Sequence, residues 1–259
     1  MKKSLCIETF FRKIEFYERF KLSKKFGFDC IEFWSWKDKD LLKIRNLCDK
    51  YDLQITSFSA DPEFCMVGDS EKDCYWNEVC GAVEAAKMVN CSSIVVHSNA
   101  EESDGTIQRK FEHLSELTRH LNMYDALKKL AKLGSENNIN FTLEAVNTLH
   151  DHPGNFLIST KVAYDLVSQV NSPNVNILFD AYHMHIMESD IANTFRKYKE
   201  KISYIHIADA PGRGEPGTGE INYSHFFKTL WEENFTGTVG FELFPIGDEE
   251  LVCKDLLLL

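Results

Sequence analysis

Eight short apolar runs, separated by amphipathic stretches, constrain the fold of this chain more than any other feature. The runs are Leu5–Phe10, Cys30–Trp34, Gln54–Ser59, Ser93–Ser98, Phe141–Asn147, Val175–Asp180, Tyr204–Asp209 and Thr238–Phe244. Each is rich in Ile, Val, Phe or Leu, as strands buried on both faces are. Helical patterns lie between them, at Phe11–Phe26, Asp40–Tyr51, Asp73–Val89, Leu121–Asn137, Ser159–Val170, Ile191–Lys201 and Tyr223–Glu233. The pattern over Asp73–Val89 rests on Val79, Val83, Ala86 and Val89 at helical spacing, and Ser159 or Thr160 supplies an N-cap for the helix that ends before Ser172-Pro173.

Strands alternating with helices predict βαβ units and a parallel sheet. Eight such units close into a (β/α)8 TIM barrel, and 259 residues match the roughly 250 typical of one. With no composition break to mark a linker, residues 1–259 are expected to form a single α/β domain. The alternative is an open doubly wound sheet. That fold usually carries a Gly-rich turn after its first strand, whereas this strand runs into Glu8-Thr9-Phe10-Phe11. The polar stretch Asn99–Thr118 exceeds an ordinary loop. It follows the fourth strand, so it is expected on the catalytic face as a lid or partly helical excursion.

Hydrophobic residues make up 44% of the chain and charged residues 27%, enough for a full core. The formal net charge of −11 argues against a general nucleic-acid binder, which must neutralise phosphates with Lys and Arg. The eight cysteines form no C-x-x-C pair, so neither a zinc knuckle nor a thioredoxin-like motif is present. Met1–Phe11 has no apolar signal region and no apolar run is long enough to span a bilayer. Reduced cysteines in a cytoplasmic protein are the expectation. The terminal Leu256–Leu259 run is too short for an anchor and is expected to pack as a helix end or fray.

Four late strands carry a candidate metal ligand at or near the end. They read Thr142-Leu143-Glu144, Leu178-Phe179-Asp180, Ile205-His206-Ile207 and Gly240-Phe241-Glu242. Strand side chains alternate between faces. Turning the three acids and His206 inward puts Leu143, Phe179, Ile177, Ile205, Ile207, Phe241 and Val239 against the helices in every case. Taken singly, each residue has another explanation: a strand-end ion pair for Glu144 or Glu242, a helix N-cap for Asp180, a core hydrogen bond for His206. Together, three converging carboxylates would repel, and a divalent cation removes that repulsion. Three carboxylates and one imidazole suit Mn²⁺ or Mg²⁺, with Co²⁺ or Zn²⁺ also admitted.

At these positions the sequence resembles the xylose-isomerase-like barrel superfamily, and within it the hydroxypyruvate isomerase family. The resemblance extends through Phe26-Gly27-Phe28-Asp29-Cys30-Ile31-Glu32-Phe33, Leu143-Glu144-Ala145-Val146-Asn147, Phe179-Asp180-Ala181-Tyr182-His183, Ile205-His206-Ile207-Ala208-Asp209 and Gly219-Glu220-Ile221-Asn222-Tyr223. It implies Glu144 and Glu242 as paired catalytic glutamates that also bind the metal, with Asp180 and His206 completing the ligands. It implies His183 and Arg213 as substrate contacts, and His97, at the fourth strand end, as a lining residue. His150, His152 and His185 are expected at the surface or just behind the residues that form the site. The implied reaction isomerises hydroxypyruvate to tartronate semialdehyde, with one divalent metal, a small hydroxy-acid or sugar as substrate, no nucleic-acid or membrane partner, and a homo-oligomer admitted.

Three other readings remain. A ketose 3-epimerase would share the four ligands, and His206 is the residue those epimerases carry where some isomerases carry Gln. An abasic-site endonuclease would need further histidines; the third strand ends Phe58-Ser59-Ala60 without one. A non-catalytic sugar- or acid-binding barrel would not need Glu144 and Glu242.

Overall fold

The computed structural model describes residues 1–259 except 103 and 108. Eight parallel strands close into a barrel in chain order: β1 (Lys2–Cys6), β2 (Cys30–Ser35), β3 (Gln54–Ser59), β4 (Ser93–Val96), β5 (Asn140–Glu144), β6 (Val175–Asp180), β7 (Ile202–Ile207) and β8 (Thr238–Phe241). The first and last strands pair from Lys2↔Thr238 to Leu5↔Phe241, which closes the ring. The joint between β3 and β4 is the thinnest, with Ser59↔Val95 as its register pair. Helices α1 (Arg19–Lys25), α2 (Leu41–Tyr51), α3 (Lys72–Val89), α4 (Glu116–Asn137), α5 (Thr160–Val170), α6 (Ala181–Glu188), α7 (Ile191–Tyr198), α8 (Tyr223–Glu232) and α9 (Glu249–Leu258) complete the chain.

Side-chain alternation sorts the apolar residues into two sets. Phe141, Leu143, Ile177, Phe179, Ile205, Ile207, Val239 and Phe241 belong to the large core that includes buried helix residues. Val95, Leu178 and Tyr204 form a separate small cluster. They occupy the opposite strand face, so they mark the barrel interior. Asp180 has the parity of Leu178, and His206 that of Tyr204, which aims both inward.

Element ends follow local chemistry. Asp40 caps α2 by accepting from Lys43 N at 2.9 Å, and Ser115 caps α4 by accepting from Thr118 N at 3.0 Å. At α5, Ser159 holds the cap position without accepting; the Glu188 carboxylate takes the Thr160 N–H at 2.8 Å instead. Asp52, Asn90, Asn138 and Asn171 end their helices in the left-handed region, where short polar side chains are tolerated.

Several expected boundaries move. The first strand is Lys2–Cys6 rather than Leu5–Phe10. Ile7 N makes a last bond to Glu32 O at 2.9 Å, then Thr9 N and Phe10 N turn back onto Cys6 O, so Phe10 is buried as a turn residue rather than in the ladder. The strands expected to reach Ser98, Asn147, Asp209 and Phe244 stop at Val96, Glu144, Ile207 and Phe241. In each case the chain leaves the ladder at the C-terminal mouth while remaining largely buried. The pattern Phe11–Phe26 resolves into a 3₁₀ turn at Phe16–Glu18 and the short α1. Ile191–Lys201 divides into α7 and a 3₁₀ turn. Helix α6 arises where none is expected, and the terminal leucines, expected as a helix end or a frayed tail, close α9 with Leu256 buried. Asn99–Thr118 runs irregularly until Glu116 opens α4. The expectation for that stretch lies, at 103 and 108, outside the described residues. All eight cysteines are free. Among the described residues, no helix is long and apolar enough to cross a membrane.

Candidate metal centre and active site

The C-terminal ends of the strands open into a cavity of about 600 Å³. Glu144 closes β5 and Asp180 closes β6, His206 lies within β7, and Glu242 follows β8 directly. All four are buried. They meet around one atom: His206 Nδ1 stands 3.5 Å from Glu242 Oε2, 3.8 Å from Glu144 Oε1 and 3.9 Å from Asp180 Oδ2. That nitrogen is buried without a hydrogen-bond partner. A lone imidazole nitrogen facing three carboxylate oxygens is a donor set that fits a divalent cation. Donor atoms of Asp180, His206 and Glu242 lie within 4.8 Å of one another, as do those of Glu144, Asp180 and His183.

The surrounding residues aim these carboxylates. Glu242 is held from two sides, by the Trp34 indole N–H at 2.5 Å on Oε1 and by Arg213 Nη2 at 2.5 Å on Oε2. Arg213 also reaches to 3.9 Å from Asp180 Oδ2. The loop that carries it, between β7 and α8, is folded by a single buried side chain. The Asp209 carboxylate accepts the backbone N–H groups of Ala210, Gly217, Gly219 and Ile221 at 2.8–3.0 Å. Gly219 passes so close to the Ala210 carbonyl that no side chain would fit.

Glu144 is held by His97, whose Nε2 lies 3.2 Å from Glu144 Oε2. The other face of His97 is taken by Asp61, at 3.1 Å on the ring and 2.8 Å on the backbone N–H. His183 opens α6. Its N–H caps on Asp180 Oδ1 at 2.9 Å, and its Nδ1 accepts from the Asn147 amide at 2.7 Å. That bond assigns the ring proton to Nε2, which lies 3.7 Å from Asp180 Oδ2.

Protonation states separate within this cluster. Burial alone would raise the Glu144 carboxyl, yet His206 and His97 hold it well below the usual carboxylate range. Burial and then the Glu144 charge push Asp180 up to about 7. Burial opposes charge on both His97 and His206. Asp61 and Glu144 nevertheless raise the first, and Glu32 and Glu242 the second, well above ordinary histidine. His183 goes the other way: burial and then the Arg213 charge keep it neutral. Neighbouring acids thus divide into one charged and one that readily takes a proton.

The sequence-predicted residues therefore come together. Glu144, His206, Glu242, His183, Arg213 and His97 line the cavity, and Asp180 lies among them with 1% of its side chain exposed. His150 and His152, expected at the surface or behind the site, also line the cavity. His152 lies against His183, with ring centroids 5.1 Å apart, and contacts Glu101 at 3.2 Å. His185 pairs with the exposed Glu220 at 3.0 Å. Sequence reasoning misses Glu32, Trp34, Asp61 and Asn147. An available signal for the first two is inward parity: Glu32 and Trp34 alternate with Ile31 and Phe33, both of which lie in the helix-facing core.

A family model described as "Xylose isomerase-like TIM barrel" matches residues 20–257. The chain is 28% identical to the hydroxypyruvate isomerase of Escherichia coli over 257 residues, covering 95% of this chain and 94% of that protein. It is 26% identical to a probable ketose 3-epimerase of Synechocystis, covering 95% and 85%. Among solved structures, one described as an AP endonuclease, family 2, from Brucella melitensis superposes with a TM-score of 0.87 at 26% identity, covering 96% of this chain and 95% of that one. With a closed eight-stranded ring and a family match over nearly its full length, the chain belongs to the xylose isomerase-like TIM barrel family.

Proposed function

We propose that this chain is a divalent-metal-dependent isomerase of a small hydroxy-carbonyl acid, converting hydroxypyruvate to tartronate semialdehyde. The observation that carries this reading is the approach of Glu144 and Glu242, from β5 and β8, to within 3.8 Å of one imidazole nitrogen beside a guanidinium. Glu144, Asp180, His206 and Glu242 would hold the ion, Mn²⁺ or Mg²⁺ by their oxygen-rich donor set, with Co²⁺ or Zn²⁺ admitted. When bound, the ion supplies Lewis-acid stabilisation of negative charge on the substrate oxygens.

The chain's own residues do the rest. Glu144 stays ionised, which suits it to take the proton from the hydroxymethyl carbon. Glu242, supplied with a proton from solvent, returns it at the neighbouring carbon. The hydroxyl proton passes from the alcohol oxygen to the former carbonyl oxygen, and Glu144 releases its proton to solvent, so that one C–H and one O–H break and one of each forms. General acid–base help of this kind contributes roughly 10²–10⁴-fold. The neutral His183 presents Nε2–H to a substrate oxygen. Arg213 pairs with the substrate carboxylate, sharing its guanidinium with Glu242.

A second reading, a ketose 3-epimerase, draws on the cavity: about 600 Å³ leaves room beyond a three-carbon acid. An endonuclease is disfavoured by the net charge of −11 and by Glu101, Glu102 and Asp104 on the cavity wall, which would repel a phosphate backbone. A non-catalytic binder would not exchange carbon-bound hydrogen. The deciding experiment is a substrate panel of hydroxypyruvate, tetroses and ketohexoses run in deuterated solvent. Exchange and turnover on hydroxypyruvate support the first reading, turnover on a ketohexose alone supports the second, and no exchange with any of them overturns both.

A further inference from the structure

Glu32 is a buried carboxylate that the reaction above does not use. Its Oε2 accepts a hydrogen bond from the Tyr204 hydroxyl. That hydroxyl is itself 2.8 Å from Thr56 Oγ1, which is 2.6 Å from Ser4 Oγ. The network fixes the carboxylate within the barrel interior. Its other oxygen, Oε1, lies 3.2 Å from His206 Nε2 and has no hydrogen-bond partner. Gly240, the register partner of His206 on β8, makes room for it. A Cβ at position 240 would stand 2.5 and 2.6 Å from the two Glu32 oxygens.

We propose that Glu32 is a positioning residue for His206, setting which ring nitrogen carries the proton. The inference rests on the metal-site reading above and adds a residue outside the ligand set. An ionised carboxylate only accepts, so it favours an N–H on the nitrogen it faces. With the proton at Nε2, Nδ1 presents its lone pair where oxygens of Glu144, Asp180 and Glu242 converge. A histidine ligand needs that arrangement, and removing its outer partner typically costs 10–100-fold in metal affinity. The Tyr204–Thr56–Ser4 network keeps the carboxylate from swinging away, and the missing side chain at Gly240 lets it lie close beside the ring.

The test is calorimetric titration of Mn²⁺ into the chelator-treated full chain. In Glu32→Gln the amide brings N–H groups to face Nε2, which drives the ring proton toward Nδ1 and blocks coordination. Its Mn²⁺ affinity is expected to fall roughly 10–100-fold. Its metal-free melting temperature is read separately, because breaking the buried Glu32–His206 pair can lower stability whatever the metal does. Gly240→Ala displaces the same carboxylate without altering its charge, and should weaken Mn²⁺ binding in the same direction. Tyr204→Phe frees the carboxylate and serves if either of the others does not fold. Affinity within about threefold of the unsubstituted chain in the folded variants overturns the role of Glu32 and leaves the four-ligand site standing. So does a loss of metal-free stability with unchanged affinity. An unsubstituted chain that binds no divalent ion overturns the site itself, and this inference with it.

Discussion

Asp180→Asn separates the cost of the acid cluster from its use. Burial and the Glu144 charge raise Asp180 from 3.8 to about 7, a shift of about three units worth roughly 4 kcal/mol between its two protonation states. A carboxyl raised in this way favours folding while it is protonated. The contribution is full below about 3.8 and is lost as pH rises through about 7. The metal-free chain at pH 8 thus bears the whole penalty of ionising Asp180, and at pH 5 only a minor part of it. Asparagine carries no such charge and still accepts the His183 N–H that caps α6. In denaturant titrations with a chelator present, Asp180→Asn should be the more stable protein at pH 8, by up to about 4 kcal/mol, with a smaller margin at pH 5. Adding Mn²⁺ at a hundred times its dissociation constant should stabilise the unsubstituted chain by about 2.7 kcal/mol and the variant far less. A metal-free variant less stable at pH 8, or a margin that does not widen between pH 5 and pH 8, would refute the view that this carboxylate is strained by its neighbours.

Other substitutions test the remaining roles. Glu144→Gln and Glu242→Gln should each lower turnover by roughly 10²–10⁴-fold with an unchanged circular dichroism spectrum; a near-native rate in either removes that residue from the proton-transfer scheme. Asp61→Asn takes away the charge that keeps His97 protonated and so loosens Glu144. Turnover should fall about tenfold or more while KM changes little, and a pure KM effect would make His97 a substrate contact instead. Arg213→Lys replaces a planar fork with a point charge. It should raise KM for hydroxypyruvate by roughly tenfold, about 1.4 kcal/mol; equal effects on a neutral ketose would deny it a carboxylate partner. Chelation should lower Tm by several degrees, reversed by Mn²⁺ in differential scanning calorimetry.

The barrel and the four-residue cluster were legible for one physical reason. A strand buried on both faces is apolar throughout, so a charged or imidazole side chain on it must face something specific. Glu144, Asp180, His206 and Glu242 all satisfy that test with the same parity. Glu32 satisfies it too, but sits early in the chain in an aromatic strand, away from the run of late strand ends. Asp61 follows β3 in a turn, where an acid has many ordinary explanations, and its contact with His97 depends on a long-range closure. Element ends were less legible, because Ile7, Phe10 and Leu243 are apolar and buried although they lie beyond the strands. Burial continues there while strand pairing does not. Helix α6 escaped notice for a related reason: Asp180 is both the last residue of β6 and the N-cap of that helix, so no loop announces the change.

The joint between β3 and β4, with one register pair, lies next to Asp61 and His97. A closed ring has no loose edge, so any transient opening must begin by unzipping somewhere, and this seam has the least ladder to undo. Amide protons on β3 and β4 should therefore exchange with solvent earlier than those on β5–β7. The support of Glu144 would then slacken before the rest of the wall, tying the endurance of activity on warming to one narrow stretch of the circumference rather than to the melting of the whole.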